Sequence, residues 1–597
     1  MILQALVRHY EDLLERNSIS PPGWCETDIS YALYIDDAGN LTHVSSVKTE
    51  QLRSKKMVLA PQKMRVPAAV TKTSGASSNF LYESSKYILG IDRPKKTKQT
   101  EKRSIERTPK YFTACKDLHC ELLKDVDSPA AQALVAFFEK WDLEIASSHP
   151  AIKPELEEII SGGKLVFRYQ GKYIHEDEAI AKKWQEHYWG KGENPQSVCL
   201  VTGKRALIES IHPPIMGVQG AHPAGARLVS FNEPAFCSYG KEQNFNAPTS
   251  QYAAFAYTTA LNHLIADREH TASISDTTVL FWAEGAEPAY QGIVCGAFFG
   301  KAMPYTKEEL WQKVSALTKG ETVTLDEAKL DPNRPFYILG ISPKKARLSI
   351  RFFYQNTFGQ ILKNVKAHQD RLEIIRPSDD NYLTLPPWRL LQATVNMKSQ
   401  DKTPKPQLAG DLLRSILTDT RYPATLLNGV VLRIRAEQTK QEKYEKEARM
   451  RVHAAILKAY YLKNEHPDVP KEVLTVALNT ESTNIPYCLG RLFAIYEGIQ
   501  KAANPDLNAT IKDKYFNSAS ATPTVIFPIL DNLSKKHLKK IRTTKTGLAV
   551  YYEKQVAELA NKLDTSYPNT LTLPQQGSFQ LGYYHQYIAL YQKKEEK

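Results

Sequence analysis

The chain has 597 residues, of which 42% are hydrophobic and 24% charged, so it is long enough to bury several domains' worth of core. Its 34 prolines and 28 glycines exclude a collagen-like or low-complexity architecture. The formal net charge of +13 favours a polyanionic partner, although an ordinary solvated surface would also account for it.

The seven cysteines form no C-x-x-C pair, which argues against a disulfide framework and against a zinc ribbon. The amino terminus has the pattern of an amphipathic helix with acidic residues, not that of a signal peptide. Apolar runs all fall short of the roughly 18 residues that a membrane span needs. We therefore expect a soluble, cytoplasmic protein with no membrane contact, no metal site and no cofactor.

The first predicted elements are the amino-terminal helix and a β-hairpin over YALYIDDAGNLTHV, in which Ala38-Gly39-Asn40 supplies the turn. Residues 93–110 hold eight basic and two acidic residues, which predicts an exposed arm or a charged helix surface. Residues 128–192 have a helical pattern, interrupted by a short strand pair at KLVFRYQGKYI.

From residue 198 to 390 the pattern is mixed. Strands are predicted at VCLVTG, ARLVSF, TVLFWA, FYILGIS and RLSIRFFY, and one helix is predicted from about 249 to 266. The proline- and charge-rich stretch KSQDKTPKPQ, near residue 400, predicts a domain boundary.

Beyond that boundary the chain is almost wholly helical, with apolar stripes in residues 485–503 and 523–541. In the second stripe Ile526, Ile529, Leu530 and Leu533 recur at helical spacing. The predicted fold class is therefore α+β: a mixed α/β N-terminal region with antiparallel sheets over 1–400, then an all-α helical-bundle C-terminal domain over 401–597.

Familiar catalytic motifs are missing from the sequence. It contains no G-x-x-x-x-G-K-[ST], no H-E-x-x-H and no G-x-S-x-G. The carboxylate pairs Asp36-Asp37 and Asp379-Asp380 stand in turn-like contexts, which explain them without catalysis. We expect a binding protein and no catalytic residue, with a nuclease or RNA-processing enzyme of unrecognised site as the alternative.

The first candidate recognition segment is KTSGASSNFLYESSKYILGID, residues 72–92. The amide of Asn79 can read a base edge, while Lys72, Ser74 and Lys86 can hold phosphates. A loop in which Asn79 acts as a cap or turn former explains the same residues, and this segment taken alone favours that explanation.

The second segment is SFNEPAFCSYGKEQNFNAPTSQYAAFAYTTALNHLI, residues 230–265. Gln243 and Asn246 offer amides for base edges. Lys241 precedes a predicted helix start at Thr249 or Ser250, whose free amide hydrogens favour a phosphate. The same side-chain amides would also stabilise an irregular loop, and the sequence supports both explanations about equally.

The third segment lies in the helical region, over residues 490–523, and a basic cluster follows it at 535–542. Charged residues on bundle helices are usually only solvated, so this signal is weak by itself. The candidate contacts to a nucleic-acid backbone in this region are Arg491, Lys512, Lys514, Lys535, Lys536, Lys539 and Lys540.

Taken together, these segments resemble the large subunit of the type I-C CRISPR Cascade effector. The similar stretches are SSNFLYESSKYILGID, residues 230–265, FFYQNTFGQILKNVKAHQDRLEI, LGRLFAIYEGIQKAANPDLNATIKDKYFNSASATPTVIFPIL, the opening MILQAL and the closing QGSFQLGYYHQ. The similarity runs in order along essentially the whole chain and is lowest over residues 93–190.

The resemblance implies a non-catalytic, DNA-binding subunit of an RNA-guided complex in antiviral defence. Such a subunit recognises the protospacer-adjacent motif, promotes strand opening and R-loop formation, and steadies the displaced strand, while guide–target pairing supplies sequence specificity. The implied partners are the double-stranded target and its displaced strand, the guide RNA held by the complex, the backbone, processing-endonuclease and small subunits of Cascade, and a recruited helicase–nuclease.

The resemblance also implies that the region from about 473 to 597 is translated separately as a small subunit. No methionine follows Met450, so a start near residue 473 would use a non-AUG codon. A scaffold subunit without direct DNA contact is a further alternative.

Overall fold

The computed structural model describes residues 1–53, 56–70, 76–93, 98–190, 195–267, 271–301, 304–325, 327–378, 380, 382–436, 443–507, 509–563 and 566–591. The protein is 51% helical and 16% strand, with antiparallel sheets in its N-terminal half and an all-helical C-terminal region. The predicted α+β class is therefore confirmed.

The chain divides into two compact units. Unit 1 comprises Met1, Leu3–Ile211 and Phe231–Tyr257, and unit 2 comprises Ile2, His212–Ser230 and Thr258–Lys597. The predicted boundary near residue 400 lies inside unit 2, which contains a four-stranded sheet as well as the C-terminal helices. The proposed division at residue 400 therefore stays a prediction, as does independent folding of residues 473–597.

Unit 1 combines small sheets with a helical layer. Its strands are β1 (Trp24–Ile29), β2 (Tyr31–Ile35), β3 (Leu41–Ser46), β4 (Thr49–Arg53), β5 (Lys56–Ala60), β6 (Gln62–Pro67), β7 (Tyr82–Glu83), β8 (Leu165–Tyr169), β9 (Lys172–Tyr173), β10 (Gln196–Val198) and β11 (Arg205–Leu207). Its helices are α1 (Ile2–Glu15), α2 (Ser85–Ile88), α3 (Lys98–Leu123), α4 (Pro129–Lys140), α5 (Leu156–Ser161) and α6 (Glu178–Gly190), and α7 (Gln251–Ala266) begins in this unit.

The largest sheet of unit 1 has the order β3-β2-β8-β7, with β9 paired to β8. Strands β2 and β8 run parallel, and the other pairs are antiparallel. The predicted hairpin is confirmed as β2–β3, in which Asp36 Oδ1 accepts from the backbone nitrogens of Ala38 at 3.0 Å and Asn40 at 2.8 Å. Gly39 takes the left-handed φ of 80° that this turn requires.

The charged stretch 93–110 is helical from Lys98 onward as part of α3, and residues 94–97 lie outside the described part. The prediction for 128–192 is confirmed by α4, α5 and α6, with β8 and β9 between them. The strand predicted at VCLVTG is wrong beyond Val198. There the chain turns, because Cys199 O accepts from Gly203 N at 2.8 Å and Gly203 adopts a left-handed φ of 71°.

Unit 2 packs helices on a four-stranded antiparallel sheet of order β12-β13-β16-β17. Its strands are β12 (Thr271–Ile274), β13 (Thr277–Ala283), β14 (Val323–Leu325), β15 (Ala328–Leu330), β16 (Pro335–Lys344) and β17 (Arg347–Thr357). Three predicted strands are thereby confirmed as β13, β16 and β17. The strand predicted at ARLVSF is wrong, because Ala226 and Arg227 form only isolated bridges.

The remaining helices of unit 2 are α8 (Pro288–Phe299), α9 (Lys307–Thr318), α10 (Phe358–Leu372), α11 (Pro387–Gln392), α12 (Pro406–Thr418), α13 (Ala424–Ala436), α14 (Lys443–Asn464), α15 (Ile485–Ala503), α16 (Ile511–Ala521), α17 (Pro523–Thr544), α18 (Thr546–Ala560) and α19 (Leu573–Tyr591). One continuous apolar core joins the sheet helices to the C-terminal helices. Within the described ranges, no helix is both long and apolar enough to span a bilayer.

Helix α15 is the centre of the C-terminal helices and packs against α16, α17, α18 and α19. Its closest neighbour is α19, because Gly490 and Gly582 leave room for direct backbone contact. A Cβ atom at Gly490 would lie 1.9 Å from Phe579 O, and one at Gly582 would lie 2.1 Å from Tyr487 O. The stripe predicted in α17 is wrong at Ile529, which is 42% exposed.

Candidate nucleic-acid interface

The segment around Asn79 is mostly buried in unit 1. Asn79 itself is 6% exposed, and its amide makes two hydrogen bonds. Its Oδ1 accepts from Val70 N at 2.9 Å, and its Nδ2 donates to Glu83 Oε1 at 3.0 Å. Asn79 therefore anchors the chain at residue 70, and its burial leaves the amide little access to a base in this structure.

A buried histidine supports the same segment. Leu81 has a left-handed φ of 64°, and its backbone nitrogen donates to His119 Nε2 at 2.8 Å. The other ring nitrogen, Nδ1, lies 2.7 Å from Cys115 O, so the neutral tautomer with its proton on Nδ1 satisfies both bonds. Burial lowers the pKa of His119 to about 4, which keeps the ring in this neutral state.

Of the three candidate phosphate contacts in this segment, Lys86 lies in the described part of the chain. Lys72 and Ser74 lie outside the described residues. Lys86 is half-buried on α2, and its Nζ lies 5.1 Å from the ring centroid of Tyr111 and 5.5 Å from that of Tyr87. The side chain of Lys86 thus has a cation–π environment as well as a solvent-accessible part.

The second segment forms a loop that Asn246 braces from within. Asn246 Oδ1 accepts from Ser238 N at 2.8 Å. Its Nδ2 donates to Lys241 O at 3.1 Å and to Gln243 O at 2.9 Å. Because one side chain ties together both sides of the turn, the loop has a defined conformation, and Asn246 holds the positions of Lys241 and Gln243.

The side chains at the outer side of this loop are exposed. Lys241 and Gln243 are both accessible to solvent, and Gln243 has a left-handed φ of 46°. Tyr239 is 98% exposed, which is extreme for an aromatic side chain, and Phe236 is 42% exposed. Our sequence reasoning missed Tyr239; the available signal was a tyrosine beside glycine in a turn with few apolar neighbours.

The start of α7 is buried, and its first amides are already engaged. Ser250 caps the helix, as predicted, because its Oγ accepts from Ala253 N at 3.2 Å. Ser250 N in turn donates to Cys199 Sγ at 3.2 Å, and Thr202 N donates to the same sulfur at 3.4 Å. Burial raises the pKa of the Cys199 thiol, but these amide bonds outweigh burial and lower it to about 7. Cys199 Sγ and Ser250 Oγ thus accept from two of the backbone amides at the start of α7, those of Ser250 and Ala253.

The third segment divides into buried and exposed residues. Arg491 is 1% exposed, donating to Gln586 Oε1 at 3.1 Å and to Glu558 Oε1 at 3.4 Å, and so presents no surface to a phosphate in this structure. Lys512 is half-buried, with its Nζ 4.7 Å from the ring centroid of Tyr583. Lys514 is exposed on α16.

Within the described residues of the C-terminal helices, a dense basic surface lies on the exposed face of α17. Lys535, Lys536, Lys539 and Lys540 are all exposed there, while Ser534, Leu538 and Ile541 point into the core. Lys540 Nζ donates to Asn504 Oδ1 at 2.7 Å, and Arg542 forms an ion pair with Glu553. We call the four lysines the α17 basic face. They span about 7.5 Å along the helix axis, at about 1.5 Å per residue.

The family model described as CRISPR-associated protein (Cas_Csd1) matches residues 6–591, which is nearly the whole chain. Among curated protein sequences, none matches this chain.

Proposed function

We propose that this chain, which belongs to the CRISPR-associated Cas_Csd1 family and is thus a large subunit of type I-C Cascade, binds DNA within that complex without cutting it. In this proposal unit 1 recognises the protospacer-adjacent motif in the duplex and helps to open the strands. Unit 2 steadies the displaced strand through the α17 basic face. The complex then supports recruitment of the helicase–nuclease that cuts the target.

The observation that carries the proposal is the α17 basic face. Four exposed lysines within six residues create a local positive potential that favours a phosphate chain. Nearby carboxylates neutralise it only partly, because Glu553 is already paired with Arg542 and Asp531 supplies a single negative charge against four lysines. A row of lysines without base-reading geometry suits a displaced single strand, which must be held whatever its sequence.

Unit 1 offers groups of the kind that read a few bases in a duplex. Gln243 presents its side chain to solvent from a braced loop, with Lys241 beside it for the backbone. In this proposal Asn246 and Asn79 position their loops, while Gln243 reads a base edge. The supporting fact is that the amides of both asparagines are used inside the protein, whereas Gln243 is exposed.

The test is a salt titration of target-DNA binding by the assembled complex, comparing wild type with Lys536→Ala/Lys539→Ala. Each phosphate neutralised on a single strand contributes about 0.7 to the slope of log K against log salt, so loss of two lysines should reduce the slope by about 1.4. The matched control is Lys319→Ala/Lys329→Ala, which removes the same charge from exposed positions elsewhere in unit 2.

Equal slopes for the wild type and the Lys536→Ala/Lys539→Ala complex would exclude the α17 basic face as a DNA contact. An equal reduction in the control would show that total charge matters and not this face. Photo-crosslinking from the displaced strand separates DNA contact from a pure scaffold role. Metal-dependent cleavage of labelled DNA or RNA by the purified chain would overturn the non-catalytic part of the proposal.

A further inference from the structure

Tyr239 has an environment that differs from that of other aromatic residues in unit 1. The other tyrosines of the unit are buried or partly buried; Tyr10, Tyr31 and Tyr82, for example, are completely buried. Tyr239 is 98% exposed and buries almost none of its apolar ring. An aromatic side chain in this position contributes very little to the stability of the fold.

The backbone holds this ring in an outward position. Tyr239 has a left-handed φ of 54° and is followed by Gly240 at 67°. This conformation is unfavourable for a residue with a Cβ atom, so the surrounding contacts must impose it. Lys241 N closes the turn by donating to Ser238 O at 3.1 Å, and Asn246 ties the turn to the rest of the loop. The ring is therefore presented on a pre-organised turn.

The surroundings of Tyr239 favour a flat partner that binds by its face. The exposed residues of this described stretch, 232–236 and 238–243, are mostly polar, and Phe236 is the other aromatic side chain among them, so the stretch itself forms no broad apolar patch of the kind at the core of a protein interface. The charged residues among them are Glu233, Lys241 and Glu242, which sum to −1. Because Lys241 is the one cation among them, the loop can neutralise a single phosphate at most, and its charge does not hinder stacking.

We propose that Tyr239 is a stacking platform for one unpaired nucleobase of the DNA that this subunit holds open, with Phe236 as a second apolar contact beside it. This inference rests on the proposed function, since it requires DNA opened within the complex. Stacking accepts any base because every base has a π-face. The contribution of Tyr239 is therefore independent of base identity and nearly independent of salt, in contrast to that of the α17 basic face.

The experiment uses the assembled complex with Tyr239→Ala and Tyr239→Phe, and a target carrying 2-aminopurine at successive positions beside the adjacent motif. We expect Tyr239→Ala to weaken target binding about tenfold or more, without changing the salt slope. Stacking quenches 2-aminopurine, so quenching at one position should be lost in Tyr239→Ala and retained in Tyr239→Phe. Tyr551→Ala, which removes a 42% exposed tyrosine from α18, is the matched control.

Several outcomes would overturn the proposal. Wild-type affinity and quenching in Tyr239→Ala would show that the ring contacts no base. An equal loss in Tyr239→Phe would show that the hydroxyl acts, not the ring face. Loss of a Cascade subunit from the Tyr239→Ala complex would show that the ring contacts protein. Failure of the proposed function is distinct, because then even the wild-type complex shows no displaced-strand contact and no lysine-dependent salt slope.

Discussion

Replacement of Gly490 by alanine tests how the C-terminal helices are held together. Helices α15 and α19 approach so closely at this point that the new Cβ atom would lie 1.9 Å from Phe579 O. Ordinary van der Waals contact begins near 3.4 Å. Because the obstacle is a backbone carbonyl, no side-chain rotation relieves the clash, and the two helices must move apart.

The magnitude follows from two opposing effects. Alanine is a better helix former than glycine by about 1 kcal/mol, which favours the variant. Overpacking of a closely packed interior costs about 1–3 kcal/mol and occasionally more. Since a backbone atom is in the way, the upper part of that range, about 3 kcal/mol, applies. Subtracting the gain of about 1 kcal/mol in helix propensity, Gly490→Ala should destabilise the α15–α19 pair by about 2 kcal/mol. Gly410→Ala in α12 is the control, because a Cβ atom there meets nothing within 4 Å.

The assay is amide hydrogen exchange of the full chain, followed by mass spectrometry of peptides from α15 and α19. A loss of about 2 kcal/mol corresponds to roughly thirtyfold faster exchange through local opening. In Gly410→Ala, peptides from α12 should exchange at the wild-type rate or more slowly. Wild-type exchange of α15 and α19 in Gly490→Ala would refute the reasoning that close backbone contact holds this helix pair.

Three further predictions concern pH, domain autonomy and base reading. The pKa of His119 is about 4 in the folded protein, below the usual 6.5, so the unfolded chain binds the extra proton first as pH falls. The stabilising effect of this group is complete above pH 6.5 and is lost, by up to about 3 kcal/mol, as pH falls towards 4. Amide exchange at Leu81 should show this loss in wild type but not in His119→Leu. The fragment 473–597 should melt cooperatively, and 450–597 at a higher temperature, because α14 packs on α19; a featureless circular-dichroism melt for both fragments would contradict domain autonomy. Asn79→Ala should weaken target binding equally on every flanking motif, because its amide positions its loop; a loss of about 1–3 kcal/mol confined to the correct motif would show that the amide reads a base instead.

The sequence did not predict which of the candidate contact residues are buried; Asn79 and Arg491 are the two clearest cases. Asparagine in a small-residue loop has the same local pattern whether its amide faces DNA or the protein. The partners of Asn79, Val70 and Glu83, are nine and four residues away, and burial of the whole segment depends on α3 and α6 packing over it. The same limit applies to Arg491, whose partner Gln586 is 95 residues distant.

The sequence alone determined the elements that depend on local periodicity and turn chemistry. Helix α15, strands β13, β16 and β17, and the β2–β3 hairpin were recognisable from apolar runs, helical spacing and turn chemistry within one element. The structure buries β13 on both faces and α15 on nearly all sides, beyond the single stripe that the spacing predicted. Family membership also follows from the sequence, since the matching pattern runs along residues 6–591.

Only the tertiary structure decided which side of each element is covered. The VCLVTG segment has strand-forming residues, yet it turns because Cys199 accepts hydrogen bonds from Thr202 and from Ser250, 51 residues further on. Ile529 fits a helical stripe but is exposed, since the neighbouring helices pack on the side marked by Phe527 and Leu530. Tyr239 is exposed for the same kind of reason: burial depends on what distant parts of the chain cover, and no local pattern specifies that.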